Sequence, residues 1–412
     1  MLDGSFVQTP HLQAQMFNPY APQFHADPYP IFERLRAQEP IHKSIFQIWV
    51  VTSYDYAEAI LKDPRFLVDH LPARLEHKAT DYREASFLQL SKLLESWIVF
   101  LNPPDHSRLK RAISPGFTQE AIESLRPYVE SIVANLVGSM ANDGSVDLIA
   151  NLANPLVALT TTRLLGLPDH DASQVSSWCA NTIRIFDQPA PLEMLLEQSE
   201  TLEQFRSYLE QLMVTIRNHP QPGLFSELLQ QQPHSGLSDA EIISTLILLA
   251  ATAQESTKGL FSNGLLALLR HPYAMAELRE NRALIPAAVY ELMRYDSPIQ
   301  YVARRAAEDV LFADQWIRQG EYVTVYLAAA NRDPAVFPEP DRLNFQRTNR
   351  NLGFGGGVHY CVGSFLAKLE MEVVLRALLE RFASLELASD CLERSPSRIS
   401  RRLSSLPVLL RL

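Results

Sequence analysis

The sequence predicts a mainly α fold with small β-sheets. Three observations predict it. Apolar residues recur at helical spacing through most of the chain after Tyr54. One such pattern, from Ser238 to Leu269, runs for about 32 residues. Strand signals, dense in β-branched and aromatic residues, are confined to short stretches such as Ile45 to Thr52. No linker-like segment, low-complexity tract or internal repeat interrupts this pattern, so one unit over residues 1–412 is expected.

The first forty residues are rich in proline and aromatics, with Pro19-Tyr20 and Pro28-Tyr29-Pro30, then a short helical pattern from Ile31 to Ala37. Ile45 to Thr52 reads as a strand or hairpin. A helix follows Pro103-Pro104 and runs through His106, Leu109 and Ile113. The long helix opens with Ser238 and Glu241, the spacing of a capping box. His271-Pro272 stops it. At ~1.5 Å per residue it is roughly 48 Å long, enough to cross the core. A third helix lies between Pro286 and Pro298. A fourth starts just after Cys361 and runs to about Phe382, with Leu366, Leu369, Val373 and Ala377 at helical spacing.

Composition narrows the function classes. With 47% hydrophobic residues in 412, the chain can bury a large core. A net charge of −10 argues against nucleic acid as the main partner, because phosphate neutralisation needs clustered Lys and Arg. The three cysteines, Cys179, Cys361 and Cys391, are too far apart in sequence to suggest a zinc site or a redox pair. Their odd, sparse count fits a reducing cytoplasm. Met1 to Pro10 has no Lys, no Arg and no apolar run, so no signal peptide is expected. The most apolar stretch, Ile242 to Ala253, falls short of the ~20 residues a membrane span needs, so no membrane anchor is expected.

The decisive segment reads Phe354-Gly355-Gly356-Gly357-Val358-His359-Tyr360-Cys361-Val362-Gly363. A stretch so crowded with glycine packs no side-chain core and lets backbone approach something flat and large. The cysteine stands at the start of a helix, where the dipole and unpaired N–H groups favour a thiolate. A thiolate there suits a soft transition-metal ion. Two other readings stay open on these residues. A phosphate loop would end in Gly-Lys-Ser or Gly-Lys-Thr, which is missing. A cysteine nucleophile would need a base, and His359 is two residues away.

The segment resembles the haem-binding signature of the cytochrome P-450 family, Phe-Gly-x-Gly-x-His-x-Cys-x-Gly, matched at every fixed position. Six fixed residues match by chance on the order of 10⁻⁸ per start, so the signal is specific. The resemblance extends over nearly the whole chain. It implies the fold of that family, a single haem domain, and haem b (iron protoporphyrin IX) buried between the long distal helix and the cysteine-loop helix. Cys361 is then the axial ligand, whose thiolate favours O–O cleavage. Glu291-Leu292-Met293-Arg294 matches the family's Glu-x-x-Arg, and a helix places those side chains on one face. The family adds a downstream Arg, for which Arg342 in Pro340-Asp341-Arg342 fits. The resemblance implies that His106, Lys110, Arg304 and His359 hold the haem propionates. Lys110 stands where the family most often has Arg, keeping the charge without the bidentate fork.

On the oxygen side, Ala251-Thr252-Ala253-Gln254-Glu255-Ser256-Thr257 is similar to the family's Ala-Gly-x-(Asp/Glu)-Thr segment. There an acid and an alcohol deliver protons to bound dioxygen, which implies Glu255 as the acid and Ser256 as the alcohol. Ser256 replaces the usual Thr, and Ala253 stands where Gly is common. Thr257 takes the alcohol role if the helix is unwound there. Peroxide-driven members typically lack this pair and carry Arg-Pro, so O₂ with two external electrons is favoured here.

The resemblance therefore implies a soluble, bacterial-type monooxygenase acting on a hydrophobic small molecule, by hydroxylation or epoxidation, in natural-product tailoring. At 412 residues a fused reductase has no room, so a separate ferredoxin or flavodoxin is expected. Arg108, Lys110, Arg111, Lys368 and Arg376 form the basic patch expected to receive it. Substrate contacts are expected from the stretch around Val68 to Phe100, from Trp178 to Phe186, and from Ile247, Leu248, Ala251 and Ile299 to Val302. A monomer is expected. The alternatives are a non-catalytic haem-thiolate ligand or gas sensor, a peroxide-driven oxidase and, more distantly, a hydrolase with Cys361 as nucleophile.

Overall fold

A computed structural model of the chain describes residues 17–69, 71–72, 75–77, 85–140, 145–187, 190–348 and 350–412. The reading of Met1 to Pro10 as free of a signal peptide lies outside the described residues, as do parts of the 68–100 stretch.

The described fold is mostly helical. A hairpin of β1 (Ile41–Lys43) and β2 (Trp49–Val51) precedes α1 (Tyr54–Lys62) and β3 (Phe66–Leu67). Then come α2 (Asp105–Ile113), α3 (Arg126–Met140), β4 (Ser145–Asp147), α4 (Asn154–Leu165), α5 (Ala172–Thr182) and α6 (Leu192–Asn218). The central helix is α7 (Asp239–Arg270), followed by α8 (Ile285–Tyr295). Strands β5 (Val302–Ala306), β6 (Val310–Phe312), β7 (Gln315–Ile317) and β8 (Tyr322–Val325) lead to the cysteine loop and α9 (Ser364–Arg381). The chain ends with β9 (Ser384–Leu387) and β10 (Pro407–Arg411).

The expected hairpin is present but begins earlier than Ile45. Ile41 pairs with Val51, and residues 44–48 form the connecting loop. Parallel pairing of β2 with β8, and antiparallel pairing of β8 with β5, extend the hairpin into a five-stranded sheet of order β1-β2-β8-β5-β3. This sheet carries its own core, including Trp49, Val51, Ile60, Phe66 and Val323.

Helix α7 spans 32 residues, and Ser238 closes the capping box with Glu241 in both directions. Every residue from Ile242 to Ala251 is buried. Such a helix has no solvent face, so its stability comes from packing on α4, α5, α6, α8 and α9. Each fully buried Leu or Ile contributes ~1.5–3 kcal/mol. The helix thus fixes the centre of the molecule, and α9 and the strand β5 are placed relative to it.

Candidate active site

One cavity of about 560 Å³ collects most of the singled-out residues. Its lining includes His106, Lys110, Arg304, His359 and Cys361 on one side, and Leu248, Ala253, Glu255 and Ser256 on another.

The cysteine side is built by a closed loop. The Gly355 N–H donates to the Leu352 carbonyl at 2.8 Å, and the Cys361 N–H to the Phe354 carbonyl at 2.9 Å. Gly355 and Gly357 have φ of 72° and 64°, the left-handed region glycine tolerates. A Cβ on Gly357 would lie 2.3 Å from the Leu61 carbonyl oxygen, so only glycine lets the loop rest on α1. Cys361 precedes α9 by three positions, and the Gly363 N–H reaches back to its sulfur. Burial pushes the thiol up, against the opposing pull of that N–H, Lys110 and Lys368. A bound metal ion removes a coordinating thiol's proton outright.

Behind the loop, Glu291 and Arg294 form a buried bidentate pair at 2.7 and 2.8 Å. The third member is Arg347, not Arg342. Arg347 Nε lies 3.1 Å from Glu291 Oε1. The turn at Pro340-Asp341-Arg342 aims its carbonyls inward, where Pro340 O accepts from Arg294 at 2.9 Å. It leaves the Arg342 side chain exposed beside Glu339. Asn331 carries the brace to the loop. Its carbonyl accepts from Arg294 at 2.9 Å, and its side-chain oxygen accepts the Leu352 N–H at 2.7 Å.

Four basic groups converge beside the cysteine. The His106 and His359 rings lie 4.3 Å apart, and His106 Nδ1 is buried with no hydrogen-bond partner among the described residues. Lys110 donates to the Val358 and Tyr360 carbonyls, bracing the loop as well as adding charge. Arg304 is buried on β5, its guanidinium donating to its neighbour's carbonyl at 2.8 Å. Among the described residues it has no carboxylate partner, and burial lowers it to about 10. Burial, then Arg304, His106 and Lys110, push His359 down to about 3. A buried cation without an acid is costly, so this cradle fits an anionic group that brings its own carboxylates. Haem propionates have that chemistry, and the Cys361 sulfur on the same side would be the soft ligand such a group needs.

On the opposite wall, α7 presents Leu248, Leu249, Thr252, Ala253, Glu255, Ser256 and Thr257 to the cavity. Thr252 Oγ1 donates to the Leu248 carbonyl at 2.7 Å, and Ser256 Oγ to the Thr252 carbonyl at 2.8 Å. The helix runs unbroken through Thr257, so the unwinding that would favour Thr257 as the alcohol is not there. Glu255 is buried, and its Oε1 accepts from Ser400 Oγ and Arg402 Nε, both at 2.8 Å.

Of the expected substrate contacts, Leu248, Ile299 and Val302 line the cavity. Ile247 and Ala251 do not. Both are fully buried on another face of α7, in the helical core. Leu249 and Thr252 take the expected places. Val68, Leu71, Ile98, Phe100, Ile183 and Phe186 add apolar wall. Trp178 instead stacks on Phe205, ring centroids 5.1 Å apart.

The expected basic patch is smaller than its sequence. Arg108 is ion-paired with Glu241 and Asp105. Lys368 is buried and donates to the Tyr290 hydroxyl at 2.8 Å. Lys110 turns to the loop, leaving Arg111 and Arg376 as exposed side chains.

Ser400, Arg402, Arg347 and Asn331 are the functional neighbours sequence reasoning missed. A local signal existed for the first two. Glu393 to Arg402 carries Arg394, Arg398, Arg401 and Arg402, a density of arginine unusual for a loop entering an apolar core. Among the described residues, no helix is long and apolar enough to cross a membrane.

Comparison with known proteins agrees with this geometry. The family model described as cytochrome P-450 matches residues 176–404. The biotin biosynthesis cytochrome P-450 of Bacillus subtilis (strain 168) is 38% identical, covering 94% of this chain and 97% of its own length. The cytochrome P-450 monooxygenase PikC of Streptomyces venezuelae is 35% identical, covering 93% and 91%. The crystal structure of P-450 BioI in complex with hexadec-9Z-enoic acid ligated acyl carrier protein superposes with a TM-score of 0.88 at 37% identity, covering 94% of this chain and 99% of that one. The glycine loop around Cys361, the cationic cradle and these similarities converge: the chain belongs to the cytochrome P-450 family of haem-thiolate monooxygenases, with haem b as its cofactor.

Proposed function

We propose that this enzyme oxidises an extended, apolar organic molecule, an acyl or polyketide-like chain, during biosynthesis of a natural product. The observation that carries this reading is the cavity wall. Val68, Leu71, Ile98, Phe100, Ile183, Phe186, Leu248 and Leu249 form an apolar surface facing the same space as Cys361. The names of similar proteins support it: one acts in biotin biosynthesis, and its crystallised relative holds a 16-carbon acyl chain on a carrier protein.

In this reading Cys361 ligates the haem iron, and His106, Lys110, Arg304 and His359 hold its propionates. When bound, the haem would supply reductive activation of O₂, a chemistry in which two electrons and two protons send one oxygen atom to the substrate and the other to water. The apolar wall positions the substrate and excludes bulk water, so protons must come from the protein. Glu255 and the Ser256 hydroxyl relay protons toward the oxygen side. Glu291, Arg294 and Arg347 keep the loop in place. Residues 1–412 form one haem domain acting as a monomer in the cytoplasm. Electrons come from a separate ferredoxin or flavodoxin, steered by Arg111 and Arg376.

A spin-state screen of acyl chains and polyketides, followed by product analysis with a ferredoxin, its reductase and NADPH, tests the proposal. Oxygenated product from a member of these classes is expected. Spin shifts without any oxidised product would favour a ligand sensor.

A further inference from the structure

We infer that Arg402 and Ser400 are positioning residues for proton delivery, holding the Glu255 carboxylate at the cavity wall. The inference rests on the reading of Glu255 as the proton-handling acid.

Glu255 is buried, and an isolated carboxylate there is disfavoured. Two donors offset this, and both come from the segment between β9 and β10. Ser400 Oγ and Arg402 Nε each lie 2.8 Å from the same oxygen, Oε1. Ser400 is buried and shares the cavity wall with Glu255, whereas the Arg402 side chain is about a quarter exposed. The carboxylate therefore sits between the cavity and a cation that reaches outward. Both anchors use Oε1, and among the described residues no hydrogen bond occupies Oε2, which stays available to a proton carrier.

The segment itself is pinned. Asp187 Oδ1 accepts from Ser397 Oγ at 3.0 Å and from the Arg398 N–H at 2.9 Å. The Arg401 N–H donates to the Pro298 carbonyl at 2.7 Å. The Leu403 N–H donates to Ser262 Oγ of α7 at 3.1 Å. Arg402 thus hangs between fixed points, so its distance to Glu255 is set by the backbone and not by a mobile tail. The Arg402 guanidinium donates a hydrogen bond to the carboxylate and is not itself a proton shuttle. Its effect runs through where Glu255 points and how tightly it is held.

The test uses haem-loaded enzyme with four variants: Glu255→Gln, Arg402→Gln, Arg402→Lys and Ser400→Ala. Infrared difference spectra against Glu255→Gln isolate the Glu255 carboxylate band. Oxygen consumption and its solvent isotope effect are measured with hexadec-9Z-enoic acid as probe and a ferredoxin system as reductant. Arg402→Gln is expected to move the carboxylate band and slow oxygen consumption about tenfold, with a changed isotope effect. Arg402→Lys restores most of both, and Ser400→Ala shows a smaller shift of the same sign. A band and isotope effect unmoved by Arg402→Gln, when Glu255→Gln slows turnover, would overturn the positioning role alone. Oxygen consumption and isotope effect left unchanged by Glu255→Gln overturn the acid reading, and this inference with it. Should Arg402→Gln fail to load haem, Ser400→Ala and Arg402→Lys decide by the same two readouts.

Discussion

The two walls of the cavity are assembled on different scales of sequence. On the Cys361 side the ligand, its glycines and His359 stand within ten consecutive residues, and the loop closes on its own backbone. On the α7 side the acid depends on partners 145 and 147 positions away. A local motif fixes geometry through backbone hydrogen bonds that any neighbourly segment can make. A long-range clamp fixes geometry only once the whole fold has formed. The first kind of site closes locally and is then braced from outside through Asn331 and the Glu291–Arg294 pair, whereas the second has no local closure and inherits every shift of the segment that supplies it.

Substitutions can break this contrast or sharpen it. The largest effect is expected behind the cysteine loop. Glu291→Ala leaves Arg294 buried without its acid, which costs about 3–5 kcal/mol. Denaturant unfolding and haem content of the purified protein measure it. A loss below about 1 kcal/mol would mean the loop needs no brace.

Next comes Glu370 on α9, a fully buried acid pushed up to about 8 and hydrogen-bonded by Thr160. Its pKa in the fold exceeds its ordinary 4.5, so the folded state binds the extra proton. Stability then falls as pH rises from about 4.5 to about 8. Glu370→Gln should stabilise the protein by roughly 1–4 kcal/mol at pH 8, a gain that shrinks toward pH 5. Melting curves at the two pH values check the sign.

On the α7 wall, Ser256→Ala should lower product formation about tenfold and divert electrons to hydrogen peroxide, while Thr257→Ala changes little. Product and peroxide counts per NADPH separate them. The smallest effect is expected at Arg342: Arg342→Ala stays within about 0.5 kcal/mol, whereas Arg347→Ala costs about 1–3 kcal/mol.

What was legible in the sequence follows the same division. The capping box at Ser238, the stop before Pro272 and the loop around Cys361 are local, and the fold places them as expected. The rest failed for physical reasons. Arg342 and Arg347 lie in an irregular meander, where no period sets side-chain direction. Ile247 and Ala251 were assigned to the cavity because α7 is buried all round, so its pattern has no stripe that distinguishes cavity from core. Arg108 and Lys368 read as surface charge, but their partners Glu241 and Tyr290 are far away in sequence. Ser400 and Arg402 carry no motif, and only the fold sets them against Glu255 of α7.

The most direct test of the account is the absorption spectrum of the reduced, carbon monoxide-treated protein, beside the Cys361→Ala variant. Thiolate ligation predicts the red-shifted Soret band in the wild type and its loss in the variant, with Cys179→Ala and Cys391→Ala unchanged. A wild type that binds haem without that band, or a Cys361→Ala protein that keeps it, would contradict Cys361 as the ligand.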